Sequence, residues 1–453
     1  EIVSTAFSPW ASISRSSSRL GLESALPTRD TCSYKRSLRV RLFMAYILML
    51  VRMNRFDLAQ LITNPYGQPK MSKPIYLDYN ATTPIAPEVF EAMLPWLRDQ
   101  YGNPSNSHAF GQRAALAVAT ARRQVSDLLG AQPQEIVFTA CATEANNLAL
   151  LGVARAVVAS GSSKRHLVVS AIEHPAVMAP ALQLQAQGWD VTVVPVDGWG
   201  LVSADRVGSV LRDDTALVSV MHANNEVGTL QPIADIAQQT RQRGIVLHTD
   251  AAQSAGKVQL SVDDMGVDLL TLAGHKFYAP KGIGALYVRG GTAILPVLFG
   301  ADQEHGLRPG TENVASIVAL GAAARLASET LSATATHLMA LRDRLHQGLL
   351  DSIPDLQLNG HPEQRLPNTL HVSFPGVSGR AVLAEAADAV AASVGSACHS
   401  EHDAVSGVLA AMGVDAARAA GAVRLSVGRM STLDDVNRAV EALVCAWRKL
   451  NKL

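Results

Sequence analysis

The sequence predicts an α/β fold, with a mostly parallel sheet in a large domain and a second, smaller α/β domain after it. Three observations predict it. Short Val- and Ile-rich runs of strand length recur from residue 135 onward, and amphipathic stretches of helical length separate them. A polar residue follows the end of run after run, where open α/β sheets gather their ligands. Strand, helix and strand at this spacing imply right-handed crossovers and a sheet covered on both faces.

Taken in order, the first 70 residues stand apart. They hold 10 Lys/Arg against 4 Asp/Glu, a net of +6, whereas the rest holds 29 against 35, a net of −6. They are Ser-rich, and their one apolar run, 42–51, lies between Arg41 and Arg52. A run of that length is too short for a bilayer, which needs about 20 residues. Three readings remain: an organellar transit peptide, a membrane-surface helix, or upstream sequence joined to a protein that starts at Met71. From Met71 on, buried strands are expected over 135–139, 166–170, 190–195, 216–221, 244–248 and 268–272, and a further strand over 285–288 after a tight Gly turn. Helices are expected over 112–129, 176–187 and 233–243. A long Ala-rich helix over 315–339 bridges to the smaller domain, with strands near 370–374 and 423–427 and a helix over 436–447. The expected division is 1–70 as a non-core segment, 86–325 as the large domain, and 71–85 with 326–453 as the small one.

Composition excludes several classes. Hydrophobic residues at 48% and charged residues at 17% exclude a disordered chain. Equal counts of 39 for Lys+Arg and Asp+Glu give no global reason to bind nucleic acid. Cys32, Cys141, Cys398 and Cys445 are too scattered for a disulfide scaffold and form no C-x-x-C pair, so no metal site is expected and a reducing compartment fits. Cys141 and Cys445 are read as buried small hydrophobes.

The polar residues at the strand ends share one chemistry. Cys141-Ala142-Thr143-Glu144 opens a helix, as a phosphate-binding N-terminus or an ordinary cap with Thr139 or Thr143. Glu173-His174, Asn224-Asn225-Glu226, Asp250 with Gln253, and His275-Lys276 follow successive strands. Singly, each is a turn, a cap or a solvated charge. Together they supply what pyridoxal phosphate needs: the Lys276 amine for a Schiff base, and Asp250, one crossover upstream, for the ring nitrogen. Ser393 to Ser400 form a Gly- and Ser-containing loop around Cys398, read as an exposed nucleophile or a buried hydrophobe. Arg424, charged within a strand pattern, is a carboxylate clamp or half of a structural ion pair.

With those residues in view, the stretch 71–453 resembles the cysteine desulfurases of the NifS/IscS type, within the class V aminotransferase fold family. The resemblance rests on Tyr76-Leu77-Asp78-Tyr79-Asn80-Ala81-Thr82-Thr83-Pro84, Gly102-Asn103-Pro104-Ser105, Ala142-Thr143-Glu144, Glu173-His174 and Asn224-Asn225-Glu226-Val227-Gly228. It continues through His248-Thr249-Asp250, Gly274-His275-Lys276, Pro280-Lys281-Gly282-Ile283-Gly284, Pro309-Gly310-Thr311, Gly395-Ser396-Ala397-Cys398 and Arg424, with order and spacing kept throughout.

The resemblance implies fold type I with a seven-stranded sheet, pyridoxal 5'-phosphate as cofactor, and conversion of L-cysteine to L-alanine with sulfur left on Cys398 as a persulfide. Lys276 would anchor the cofactor, Asp250 pair with its ring nitrogen, His174 stack on the ring, and Gln253 contact the ring hydroxyl. Asn225 and Arg424 would bind the substrate carboxylate. Ala142, Thr143 and His275 would hold the phosphate, with Thr311 arriving from the second subunit of a homodimer. Transient ligation of an iron–sulfur cluster by Cys398 is compatible with the resemblance. A sulfur-acceptor or scaffold protein is implied as partner, for iron–sulfur assembly, tRNA thiolation or DNA phosphorothioation. Neither direct nucleic acid binding nor a membrane is implied.

The expected compartment is the cytoplasm, or an organelle if 1–70 is a transit peptide. Selenocysteine lyase, another class V aminotransferase, and a non-catalytic scaffold with the same fold are the competing readings. The sequence departs from the family pattern in three places. Ala273 stands where a Ser often meets the phosphate, Cys141 where Gly is common, and His399 where Ser or Thr often follows the nucleophile. His399 is read as lowering the Cys398 pKa or relaying a proton, or else as a solvent-exposed loop residue.

Overall fold

The computed structural model describes residues 73–395 and 406–452, so the expectations for 1–70, Ser396, Cys398 and His399 fall outside the described residues. In chain order the strands are β1 (Ile75–Tyr76), β2 (Ile136–Thr139), β3 (His166–Ser170), β4 (Asp190–Val194), β5 (Thr215–Ser219) and β6 (Val246–Asp250). They continue as β7 (Leu269–Ala273), β8 (Gly284–Val288), β9 (Gln357–Asn359), β10 (Thr369–Ser373), β11 (Val390–Ala391) and β12 (Ala422–Ser426).

Seven of them form one sheet in the order β2-β8-β7-β6-β5-β3-β4. The pairs β4/β3, β3/β5, β5/β6 and β6/β7 are parallel, and β8 runs antiparallel to both β7 and β2. This is the mostly parallel sheet that the sequence predicts. Strands β3, β5 and β7 are buried along their whole length, as unbroken Val/Leu runs require when helices cover both faces.

One expectation fails here. The strand near 190–195 was expected to be buried, but β4 closes one edge of the sheet and only Val194 is buried. An edge strand lacks a neighbour on one side, so an apolar pattern alone does not bury it. A smaller shift concerns β6. It runs on to Asp250, which puts that carboxylate on the last residue of the strand rather than beyond it.

The long helix, Val314–Leu350, extends past its expected end at residue 339. Leu341, Leu345 and Leu349 continue the four-residue spacing, and all three are buried, so the apolar stripe does not stop there. The first part of this helix, including Ile317 and Leu320, joins the core around the large sheet, against helices Pro87–Arg98 and Ala109–Leu129. Its later Leu residues enter a second core with Leu77, Leu370, Val423, Leu425 and Leu443. That core lies on the antiparallel sheet β12-β10-β9 and the parallel pair β1-β11. The segment after β1 runs beside β11 and β12, through Leu77 N–H to the Ala391 carbonyl at 2.8 Å and Ser426 N–H to the Leu77 carbonyl at 2.7 Å. This pairing brings Asp78 and Asn80 to the large sheet's site.

The two described cysteines are not buried hydrophobes. Cys141 and Cys445 are both exposed. Cys141 is the N-cap of helix Ala142–Ala159, and Cys445 lies on the outer side of helix Leu433–Leu450, whose inner side is marked by Val444 and Trp447. An amphipathic helix exposes a small apolar residue whenever its position falls off the buried stripe.

Candidate active site

A cavity of about 620 Å³ opens beyond the carboxyl ends of β3, β5, β6 and β7. This is the crevice that the open-sheet rule predicts. Ala142, Thr143, His174, Asn225, Asp250, Gln253, His275, Lys276 and Arg424 all line it. Thr311 does not line it; it is exposed on its own chain.

Lys276 ends a single 3-10 turn, Gly274–Lys276, immediately after β7. Its Nζ donates to the carbonyls of Asn80 at 2.5 Å and Ala81 at 2.9 Å. Two residues on, Tyr278 has a φ of 74°, which is costly for a side chain with a Cβ. Its N–H donates to Thr83 Oγ1 at 2.9 Å and its hydroxyl accepts from the Arg429 N–H at 2.7 Å, so the turn is fixed at both ends.

Asp250 is only 5% exposed. Its Oδ2 accepts from Asn146 Nδ2 at 2.7 Å and its Oδ1 from the Ala252 N–H at 2.9 Å. Among the described residues it has no ion-pair partner within salt-bridge distance. His174 is at once a cavity residue and a helix cap. Its Nδ1 accepts from the Ala176 N–H at 3.0 Å, which leaves Nε2 to carry the proton. Burial lowers its pKa, Asp250 acts against that, and Lys276 adds to the lowering, so the neutral form of the ring is favoured. His275 Nδ1 lies 3.1 Å from Thr82 Oγ1, and burial, with help from Lys276, Lys281 and Lys257, pushes its pKa down to about 4.

Helix Ala142–Ala159 points its N-terminus at the cavity. The expected Thr cap is absent: Cys141 is the cap residue, with no side-chain hydrogen bond, and Thr139 Oγ1 instead donates to the Cys141 carbonyl at 3.0 Å. The first N–H groups of this helix are therefore not capped by a side chain at Cys141, and the helix dipole favours an anion there. Gly284 keeps this turn close to the sheet, since a Cβ on it would fall 2.8 Å from the Cys141 carbonyl carbon and 3.0 Å from Ala142 N. Ala273 lines the cavity where a Ser would have brought a hydroxyl.

Arg424 is an ion-pair residue and still has capacity to bind. It is 3% exposed, and its Nη2 donates to Asp78 Oδ1 at 2.6 Å and its Nη1 to the Asn225 carbonyl at 3.0 Å. Its Nε is buried with no acceptor among the described residues. A guanidinium so arranged has donor capacity left for a carboxylate.

Among the described residues, those present fit pyridoxal phosphate on four counts: a reachable amine, a buried carboxylate with no ion-pair partner, a helix N-terminus with no side-chain cap, and a guanidinium with an orphaned donor. Sequence reasoning missed several residues of this site. Asn146 holds Asp250; it lies three residues after Thr143, on the same helix face, and that spacing was the available signal. Asn80 was seen only as part of a motif, yet its carbonyl receives Lys276. Glu173, named only within a strand-end motif and given no role, is buried, with Oε1 accepting from Ser170 Oγ at 2.5 Å and the Met221 N–H at 2.8 Å, and with no partner on Oε2 among the described residues. Burial pushes its carboxyl up to about 8, despite those two hydrogen bonds.

The class-V aminotransferase family matches residues 75–439. A cysteine desulfurase from Trichormus azollae is 46% identical over 370 residues, which is 82% of this chain and 92% of that one. A solved NifS-like protein superposes with a TM-score of 0.77 at 37% identity, covering 84% of this chain and all (100%) of the other. SspA, solved in complex with cysteine, matches with a TM-score of 0.71 at 38% identity, over 79% of this chain and 99% of its own. Proteins of this family are generally dependent on pyridoxal phosphate. The chain belongs to the class-V aminotransferase family and, within it, to the cysteine desulfurases of the NifS/IscS type.

Proposed function

We propose that the protein is a pyridoxal 5'-phosphate-dependent cysteine desulfurase that takes the sulfur of L-cysteine onto Cys398 and releases L-alanine. One observation carries this reading: Lys276 and the Asp250 carboxylate, which has no ion-pair partner among the described residues, meet a helix N-terminus without a side-chain cap around one cavity. Lys276 is the amine that anchors the cofactor. The N–H groups at Ala142 and Thr143, with His275, hold its phosphate, Asp250 keeps a proton on its ring nitrogen, and Gln253 contacts its ring hydroxyl. When bound, the cofactor supplies an electron-withdrawing ring next to the substrate Cα.

Arg424 and Asn225 orient the L-cysteine carboxylate. Lys276 carries the proton taken from Cα. His174, whose Nδ1 accepts from the Ala176 N–H, offers its Nε2–H as a donor within the cavity. The Cys398 thiolate attacks the substrate sulfur; the S–S bond forms, the substrate S–Cβ bond breaks, and its electron pair ends as a C–H bond at Cβ after protonation. The products are alanine and a persulfide on Cys398. Cys398 lies three residues beyond Gly395, which lines the cavity.

A second copy of the chain completes the site through Thr311. Support comes from its exposure away from its own cavity, and from Tyr101 and Phe299, 80% and 75% exposed. The persulfide is then passed to an acceptor protein.

The test is product analysis. Wild-type protein with cysteine and a reductant yields alanine and sulfide in equal amounts, and Cys398→Ala yields neither at the wild-type rate. Full activity in Cys398→Ala refutes the persulfide step. A protein that shows no visible absorption band with pyridoxal phosphate, and no band lost on borohydride treatment, refutes the whole reading.

A further inference from the structure

Lys257 has no place in the reaction described above, yet it is bonded to Gln253, which lines the cavity. It is 5% exposed and forms no ion pair among the described residues. A buried ammonium without a carboxylate is costly, so its retention needs a reason. Its Nζ donates to the Gln253 backbone carbonyl at 2.9 Å and to Gln253 Oε1 at 3.2 Å. Gln253 Nε2 in turn donates to the Asn80 carbonyl at 3.0 Å. That same carbonyl accepts Lys276 Nζ at 2.5 Å. A continuous hydrogen-bonded path therefore runs from Lys257 through Gln253 and Asn80 to the reactive amine.

We propose that Lys257 is a positioning residue, which fixes the side-chain amide of Gln253 so that its NH₂ end faces the Asn80 carbonyl and the cofactor cavity. The chemistry of the two neighbours decides this. A glutamine amide has one acceptor end and one donor end, and its last torsion has two nearly equivalent settings. Lysine offers only donors and a backbone carbonyl offers only an acceptor. Turning the amide over would place NH₂ against ammonium and oxygen against oxygen, so two hydrogen bonds would become two repulsions. The two residues are four apart in the turn that leaves β6, where Lys257 N–H donates to the Ser254 carbonyl at 3.0 Å, so the lock is local and set by the backbone. The charge matters as well. Burial, and then the neighbouring charges of Lys276 and Arg424, lower the Lys257 pKa to about 7, so the donor-only ammonium form that sets the lock gives way as pH rises through that value.

The inference rests on the cofactor reading above, and a double-mutant cycle tests it. Cofactor dissociation constants and the pH titration of the visible absorption band are measured for the wild type, Lys257→Met, Gln253→Ala and the double variant. Lys257→Met is expected to weaken cofactor binding about tenfold and to move the titration midpoint of the band. In the Gln253→Ala background the same change is expected to add little, because the residue acts through Gln253. Wild-type affinity and titration in Lys257→Met overturn the inference, as does a full further loss in the double variant. Should Lys257→Met not fold, as judged by loss of cooperative melting, Lys257→Gln keeps one donor toward Oε1 and is expected to retain affinity that Gln253→Ala loses. Loss equal to that of Gln253→Ala then counts against the inference. A wild-type protein that takes up no cofactor overturns the proposed function and this inference together, whereas a normal wild type beside an unaffected Lys257→Met overturns only this one.

Discussion

Replacing Glu173 by Gln should stabilise the cofactor-free protein at high pH and leave it nearly unchanged at low pH. Glu173 is 9% exposed, and burial raises its carboxyl pKa from 4.5 to about 8. An acid whose folded pKa lies above its unfolded value binds more protons folded than unfolded. Its contribution is therefore full below a pH of about 4.5 and is lost as pH rises to about 8. At about 1.4 kcal/mol per pKa unit, the whole displacement is worth on the order of 3–5 kcal/mol. Glutamine keeps the acceptor for Ser170 Oγ and the Met221 N–H, and it carries no charge to desolvate. Denaturant unfolding of cofactor-free wild type and Glu173→Gln at pH 5 and pH 8.5 gives the difference directly. The variant should gain several kcal/mol relative to the wild type between these two points. A difference that stays flat, or that falls with pH, would mean that Glu173 is ionised in the folded protein, and the burial argument would be wrong.

Three further outcomes follow from the site's geometry. Asn146→Ala removes the 2.7 Å hydrogen bond to Asp250 Oδ2; a bond to a buried charge is worth about 1.5–3 kcal/mol, so cofactor affinity measured by fluorescence quenching should fall tenfold or more. Unchanged affinity would show that the Ala252 N–H alone holds the carboxylate. Arg424→Lys cannot serve both Asp78 and Asn225 and still offer the Nε donor to substrate; the KM for L-cysteine should rise at least about tenfold. An unaltered KM in steady-state alanine assays would remove Arg424 from the substrate site. Gly284→Ala drives a Cβ to within 2.8 Å of the Cys141 carbonyl carbon. Overpacking against backbone costs about 1–3 kcal/mol, so both the Tm and the cofactor affinity should drop. A variant that melts and binds like the wild type would show that the helix N-terminus can shift freely.

Much of the fold was legible because its signals are local. Leu167 to Val169 and Leu269 to Leu272 read as buried strands from composition alone, and the sheet buries them. The edge position of β4 was not legible, since strand order depends on which crossover lies outermost, and the residues of 190–194 do not encode that. The same limit applies to Cys445. Helical periodicity identifies a stripe, but a boundary residue such as this one is decided by what packs against the helix. In the site, residue types at strand ends pointed to Lys276, Asp250, His174 and Arg424, and the fold brings all four to one cavity.

The sequence by itself determined which chemistry is possible here, because an amine, an acid, a small-residue helix start and an arginine at these positions leave few alternatives. Tertiary structure alone decided how those groups are held. Asn80 lies 196 residues from Lys276 along the chain, and Asn146 lies 104 from Asp250. Hydrogen bonds at 2.5 and 2.7 Å between segments so distant exist only once two cores have packed and fixed their separation. The reason is physical: residue type sets what a group can donate or accept, whereas direction and distance are properties of the packed backbone that carries it.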